Sequence, residues 1–142
     1  MDLSSYLDLF VTEAREHIGV AAALAANKDE REPGDAGLRE LFRHVHSVKG
    51  MAASMGFSAM SSLAHDAESL MDLARQGQVR PYPKTRSILL DALACLERMV
   101  DRAEGKQPVD DGERGALQDT LRGLLRGTIE PAAEPPAADP GG

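Results

Sequence analysis

A histidine, a lysine and a glycine at helical spacing give this chain its strongest chemical signal. His46, Lys49 and Gly50 stand at positions i, i+3 and i+4, inside the segment from His44 to Phe57. Residues at these spacings share one helix face, so Gly50 clears space beside the imidazole and Lys49 reaches anything attached to it. A glycine inside a helix costs about 0.5–1 kcal/mol relative to alanine, and close approach by a partner would explain that cost. We therefore interpret His46 as a surface nucleophile that carries a phosphoryl group.

A carboxylate on the following helix is predicted to orient this histidine. His46 lies about 100° from the centre of its apolar stripe near Val45, and Glu68 lies about 80° from the stripe centred near Met60. His46 precedes the turn between the two helices by about ten or eleven residues, and Glu68 follows it by about as many. An antiparallel pair of helices therefore brings the two side chains to the same level. Such a carboxylate accepts the Nδ1–H of the imidazole and leaves Nε2 as the nucleophile.

Three further side chains, Lys49, Arg43 and His65, are predicted to lie near this pair. A phosphoryl group brings roughly −1.5 to −2 charges, which Lys49 would offset. Arg43 is a second cation on the same flank of the helix that could contribute. These two cations and Gly50 also suit contact with an acidic partner surface. His65 lies beside Glu68 on its helix and either hydrogen-bonds near the site or plays no part in it.

The elements that position these residues are helices. Apolar residues recur with a period near 3.6, and no stretch alternates as a strand does. The pattern predicts helices over about 4–27, 35–55, 58–76, 83–105 and 111–126, with Gly56 and Gly105 as stops and Ser58 as a cap. Short connections between long amphipathic helices imply antiparallel neighbours. The predicted fold is therefore all-α, an antiparallel four-helix bundle with an additional C-terminal helix.

The domain boundaries follow from the same pattern. Residues 1–128 are predicted to form one helical domain, with the bundle over about 4–105 and the fifth helix over about 111–126. Residues 129–142 are rich in Pro and Ala and are predicted to form a flexible linker to further domains.

Composition excludes several classes of function. One cysteine in 142 residues allows neither an internal disulfide nor a cysteine-based zinc cluster. A net charge of −7 argues against nucleic acid as a partner. We see no signal peptide and no apolar run long enough to insert in a membrane, so a cytoplasmic protein is expected.

The motif resembles that of a known family. The run from His46 to Gly50, followed by Ala52 and Gly56-Phe57, resembles the signature of the histidine phosphotransfer domain. Phe42-Arg43 before it and His65 with Glu68 after it resemble more closely the N-terminal phosphotransfer domain of CheA-type chemotaxis histidine kinases. The resemblance covers roughly residues 4–105.

This resemblance implies a role in two-component signalling. A histidine kinase catalytic domain would phosphorylate His46 on Nε2, and the phosphoryl group would pass to an aspartate in the receiver domain of a response regulator. No cofactor is expected in this domain, because ATP and Mg would be used by the kinase domain elsewhere. The chain alone is then not an enzyme but a fragment of a histidine kinase, in agreement with the lack of a Gly-rich phosphate loop or a Walker-type lysine.

Four other interpretations stay open at this point. The chain could be a free-standing phosphorelay protein or a non-catalytic helical docking module. A purely structural bundle is a further alternative, but it leaves Gly50 and the register of His46 with Glu68 unexplained. A metal site is the weakest alternative, because His44 and His46 are two residues apart and face different sides of a helix.

Overall fold

Helices make up nearly all of the part of the chain that the computed structural model describes, residues 3–26, 35–76, 82–110 and 112–127. The bounds are Leu3–Ala26 for α1, Asp35–Ser54 for α2, Ser58–Arg75 for α3, Tyr82–Glu104 for α4 and Glu113–Gly127 for α5. Helices α1 to α4 contact one another in a ring, in which α1 packs on α2 and α4, and α3 packs on α2 and α4. Helix α5 lies outside the ring against α3 and α4.

The predicted all-α fold is confirmed. The described ranges contain no strand, and the fifth helix joins a four-helix bundle as expected. The linker predicted over 129–142 and the polar connections before α2 and α4 lie outside the described residues. None of the described helices combines the length and the apolar character needed to cross a bilayer.

The apolar stripes read from the sequence form the core. Large side chains from α2, α3 and α4 are almost completely buried, and α5 adds Leu121. Burying one such side chain contributes about 1.5–3 kcal/mol. Phe42 and Met55 follow the apolar period of α2 in the sequence but are only half-buried, because they stand at the edges of its stripe. The fully buried large residues include Leu41, Val45, Val48, Met60, Leu63, Leu70, Met71, Leu89, Leu96 and Leu121.

A tight turn joins the two helices that carry the predicted site. Gly56 has a φ of +80°, and its N–H donates to the carbonyl of Ala53 at 3.1 Å, while the N–H of Phe57 donates to that of Ala52 at 2.9 Å. This pair of bonds is the Schellman motif that a left-handed glycine permits. The stop predicted at Gly56 is therefore confirmed.

The predicted cap of α3 was wrong by one residue. Ser58 is the first residue inside α3, and the N-cap is Phe57, which makes no side-chain capping hydrogen bond. The turn is so short that Phe57 both closes α2 and starts α3, since its carbonyl accepts the N–H of Ser61 at 3.0 Å. The Phe57 ring meets the edge of Phe10 with centroids 5.4 Å apart, which holds the turn against α1.

The end of α4 differs in detail from the prediction. The left-handed residue there is Lys106, with a φ of 58°, and not Gly105. The N–H of Lys106 donates to the carbonyl of Ala103, and that of Gln107 to Arg102. Gly105 thus has an ordinary conformation immediately before the residue that ends the helix.

Candidate functional site

One carboxylate joins the predicted nucleophile to the predicted cation. Nδ1 of His46 lies 2.5 Å from Oε2 of Glu68, and Nζ of Lys49 donates to Oε1 of the same carboxylate at 2.9 Å. The Glu68 side chain is 8% exposed and that of His46 is 60% exposed. The carboxylate therefore acts from inside the bundle on an imidazole that faces solvent.

This contact distinguishes the two ring nitrogens of His46. A carboxylate accepts hydrogen bonds when ionised, so the nitrogen facing Glu68 carries the proton. In a neutral imidazole the other nitrogen, Nε2, then bears the lone pair. Such an arrangement, in which a third group orients a nucleophile, is typical of activated nucleophiles.

The tight α2–α3 turn explains why these side chains meet. Helix α2 ends at the Schellman turn at Gly56 and α3 begins directly after it. Each helix extends about 1.5 Å per residue away from this turn. His46 and Glu68 therefore reach the same height along the hairpin. Lys49 lies one turn closer to Gly56 on the same face of α2 as His46, and its side chain is 25% exposed, so it can reach the second oxygen of Glu68.

Phe42 supports the imidazole from the other side. Its ring lies nearly parallel to that of His46, with an interplanar angle of 9° and centroids 6.0 Å apart. Phe42 precedes His46 by one helical turn, which is the spacing at which side chains stack on a helix. The apolar period of α2 includes Phe42 and by itself predicts a core residue. Its position at the edge of the stripe was the signal that it serves the site as well.

Gly50 opens onto a groove between α1 and α2. A Cβ atom built on it would meet nothing within 4 Å, so packing within the chain does not require glycine there. The groove has a volume of about 700 Å³ and includes His46, Gly50, Tyr6 and Leu9 in its lining. Tyr6 and Leu9 are 50% and 51% exposed. Sequence reasoning missed the contribution of α1, although two exposed apolar residues outside its buried stripe were a signal of it.

The two remaining predicted residues lie further from the imidazole. His65 is 63% exposed, and its Nδ1 lies 3.5 Å from Oδ1 of Asp66. It lines a second groove together with Lys49 and Arg122. Arg43 is exposed and lines a shallow cleft with Phe42. Within the described residues neither His65 nor Arg43 bonds to His46 or Glu68, although both stay on the same side of the bundle.

His44, the other histidine of the motif, faces α1. Its Nδ1 lies 2.9 Å from Nδ1 of His17, so one of these nitrogens donates and the other accepts. In the described ranges no three His, Cys, Asp or Glu side chains are arranged to hold a metal ion.

Comparison with known proteins assigns the family. The family model of the Hpt domain matches residues 5–121, which include the whole site and most of α5. The chain belongs to the Hpt domain family. This Hpt domain is 34% identical over 116 residues to the chemotaxis protein CheA of Bacillus subtilis, and 35% identical over 112 residues to CheA of Listeria monocytogenes.

Solved structures agree with this assignment. The phosphorylated P1 domain of CheA3, in complex with CheY6 from R. sphaeroides, superposes with a TM-score of 0.78 at 27% identity and covers 87% of this chain and 98% of that domain. The solution structure of the histidine phosphotransfer domain of CheA gives a TM-score of 0.77, with 87% and 93% covered.

The match is to one part of a longer protein. The alignments cover 78% of this chain but 17% of the B. subtilis protein, and 76% of this chain but 18% of the L. monocytogenes protein. The Hpt domain described here is thus homologous to the phosphotransfer domain of CheA proteins and has the role of a phosphoryl carrier.

Proposed function

We propose that His46 is the residue that carries the phosphoryl group, on Nε2, between an ATP-using histidine kinase domain and a receiver-domain aspartate. The observation that carries this proposal is the 2.5 Å contact between Nδ1 of His46 and Oε2 of the buried Glu68. It leaves the solvent-exposed imidazole with one nitrogen free to attack. The chain would act as one domain of a chemotaxis kinase in the cytoplasm.

The proposed transfer balances without a further base. The Nε2 lone pair forms a bond to the γ-phosphorus of ATP, and the bond from that phosphorus to the β,γ-bridging oxygen breaks, so ADP leaves. The Nδ1 proton stays on the ring, where the Glu68 carboxylate stabilises the positive charge that the ring gains. In the second step an aspartate oxygen bonds to phosphorus, the Nε2–P bond breaks, and His46 returns to its neutral tautomer.

Charge and access support the same assignment. Phosphorylation adds roughly −1.5 to −2 charges at neutral pH, and Lys49 already lies within the site, held by the second oxygen of Glu68. Arg43 adds a cation on the same flank, where it would meet an acidic partner surface. The open space at Gly50 admits the backbone or side chains of that partner. His65 lies near Lys49 and would serve the site only indirectly.

The partners are proposed from the relatives. The P1 domain of CheA3 was solved in its phosphorylated form with CheY6 bound, which supports a response regulator as the acceptor. The donor would be the catalytic domain of the kinase, which supplies ATP and Mg, so we expect no cofactor in this chain.

Substitution of the histidine tests the proposal. His46→Gln should fold as the wild type does and accept no phosphoryl group, because the amide cannot form the phosphoramidate bond. The measurement is transfer of radiolabel from ATP by the catalytic domains of a CheA protein. His44→Gln is the control and should be labelled normally, since that residue faces His17. Equal labelling of His46→Gln and the wild type would refute the assignment.

A further inference from the structure

A cluster of polar side chains, two of them buried, joins α3 to α5. Asp66 on α3 is 7% exposed and Gln118 on α5 is 1% exposed. The Gln118 amide donates to Oδ2 of Asp66 at 2.6 Å and contacts Oγ of Ser62 at 2.8 Å. Arg122 donates to Asp66 through Nε at 2.8 Å and to Ser62 through Nη2 at 3.2 Å. We call these four residues the α3–α5 cluster.

The α3–α5 cluster continues along α5 to its beginning. Nη1 of Arg114 donates to the carbonyl oxygen of the Gln118 side chain, and Nη2 donates to Asp110 at 2.7 Å. The Arg114 guanidinium also lowers the pKa of Asp110, with a further contribution from the N–H of Gly112. The amide of Gln118 is therefore held from both ends in one orientation.

This cluster lies on the opposite side of α3 from Glu68. Ser62 and Asp66 are four residues apart and share the face toward α5. Glu68 comes two residues after Asp66, about 200° round the helix, and points at α2. Helix α3 is thus bound by directional contacts on two sides, to α5 by Asp66 and to α2 by Glu68.

Directional contacts fix the axial position of a helix more strictly than apolar ones do. Leu121 gives α5 an apolar anchor, but the hydrophobic effect itself is not directional. A shift of α3 by one residue would be a movement of about 1.5 Å along its axis. Such a shift is larger than the width, about 0.5 Å, of the range of about 2.7–3.2 Å in which nitrogen–oxygen hydrogen bonds usually form, so it would lengthen and misalign the contact of Glu68 with His46.

We propose that Asp66 and Gln118 are positioning residues for phosphoryl transfer, which hold α3 in the register where Glu68 meets Nδ1 of His46. The proposal rests on the assignment of His46 as the phosphorylated residue. It gives α5 a role that the sequence left open. Arg122, at the end of the cluster, also lines the groove that Lys49 enters, so the cluster reaches the edge of the site itself.

The test removes the hydrogen bonds and keeps the shape of the side chain. Gln118→Met retains a similar volume in the buried position and loses the amide that binds Asp66 and Ser62. We expect a fall in kcat of about tenfold or more for phosphorylation, since small misplacements of reacting groups cost up to about a hundredfold, with little change in KM. Arg122→Gln is a second variant, at a side chain that is 50% exposed, and it should also lower kcat.

A matched control loosens α5 on its other side. Arg98 on α4 donates to Glu113 on α5 at 3.0 Å, and Arg98→Gln removes that ion pair without touching α3. This control should keep the kcat of the wild type. Rescue follows the same logic, because Arg122→Lys keeps a cation near Asp66 and should restore more activity than Arg122→Gln.

Nitrogen NMR of the His46 ring separates positioning from general destabilisation. In the wild type the ring should show a protonated Nδ1 that is hydrogen-bonded, and Gln118→Met should shift this signal while the backbone spectrum stays folded. Unchanged ring signals and unchanged kcat in folded Gln118→Met and Arg122→Gln would overturn the proposal. Absence of label on His46 in the wild type would instead refute the proposed function, and the ring signals would still report whether the cluster positions Glu68.

Discussion

At the scale of single residues, the site depends on the two oxygens of one buried carboxylate. Oε2 of Glu68 orients His46 and Oε1 holds Lys49, so orientation of the nucleophile and placement of the cation are coupled. A side chain of the same shape without the charge could accept only one of these two hydrogen bonds. An amide in this position has only one accepting oxygen, and its NH₂ group would face either the ammonium of Lys49 or the protonated Nδ1.

Glu68→Gln should therefore slow phosphorylation without unfolding the domain. We expect a loss of about tenfold or more, since misplacement of a reacting group by about 1 Å costs up to about a hundredfold. Initial rates of radiolabel transfer from ATP measure the effect. Glu97→Gln, an exposed carboxylate on α4, is the control and should keep the wild-type rate. A full rate in Glu68→Gln would mean that His46 needs no orienting carboxylate.

Gly50 gives a second prediction at this scale. Gly50→Ala should raise the free energy of unfolding by about 0.5–1 kcal/mol, because alanine is the better helix former and the new methyl group meets nothing in the chain. The same methyl group should slow transfer to a response regulator if the partner approaches this surface. Denaturant unfolding and stopped-flow transfer measure the two effects.

Gly19→Ala is the matched control for that variant. Gly19 is exposed within α1, and a Cβ there also meets nothing within 4 Å. Both variants should gain similar stability, and only Gly50→Ala should lose transfer rate. Equal transfer rates in the two variants would show that the glycine beside His46 does not serve partner access.

The sequence predicted the pairing of the site but not its surroundings. His46 and Glu68 lie on two helices joined by one short turn, so counting residues from that turn was enough to align them. Asp66 was not identified because its burial depends on α5, which arrives some fifty residues later in the chain. Helical periodicity shows only which face of a helix is apolar. It cannot show that a carboxylate on another face is covered by a helix from a distant part of the chain.

At the scale of elements, the two helix ends around positive-φ residues make an instructive pair. Gly56 occupies the left-handed position after α2, whereas Lys106 occupies the corresponding position after α4. Both ends use the same pair of backbone hydrogen bonds. A turn signal in the sequence therefore located the end of α4 to within one residue, but glycine alone could not show which residue adopts the left-handed conformation.

Lys106→Gly should stabilise the domain. A non-glycine residue in the left-handed region costs roughly 1–2 kcal/mol, and glycine removes this cost from the folded state. Glycine also raises the entropy of the unfolded chain, which offsets part of the benefit, so we expect a net stabilisation of about 0.5–1 kcal/mol. The free energy of unfolding in denaturant measures it. Gly105→Ala should be tolerated, because the new Cβ would have only ordinary contacts, the nearest at 3.6 Å. Destabilisation by Lys106→Gly would contradict this account of the turn.

Helix α1 is linked to α4 at the surface as well as in the core. The guanidinium of Arg15 donates to Asp101 at 2.7 Å and to Glu104 at 2.6 Å, and it lowers the pKa of Glu104. These groups are exposed, so salt will screen their attraction. The core rather than this ion pair accounts for the stability of the α1–α4 contact.

At the scale of the whole molecule, the sequence predicts a carrier that does not bind nucleotide itself. The sequence contains no Gly-rich phosphate loop and has a net charge of −7, which disfavours polyanions. We expect no saturable binding of Mg-ATP to the isolated chain, measured by titration calorimetry. The catalytic domains of a CheA protein provide the positive control, and micromolar affinity in the isolated chain would contradict the carrier role.

The overall architecture was predictable because its signals are local and repeated. Each helix shows its own apolar stripe, and short connections decide which helices are neighbours. The groove between α1 and α2 was not predictable in the same way, because it depends on how the two helices pack against each other, which the apolar stripe of each helix does not determine. The exposed residues Tyr6 and Leu9 can be related to the site only once the structure shows that they line the same groove as His46.

The single buried thiol makes the rate at which the bundle opens measurable. Cys95 is the only cysteine in the chain, and it is 2% exposed within α4. A thiol reagent can modify it only when α4 separates from its neighbours, and such openings are rare events whose frequency reflects local stability. The rate of modification of Cys95 therefore counts the openings of the bundle, with no label added to the protein.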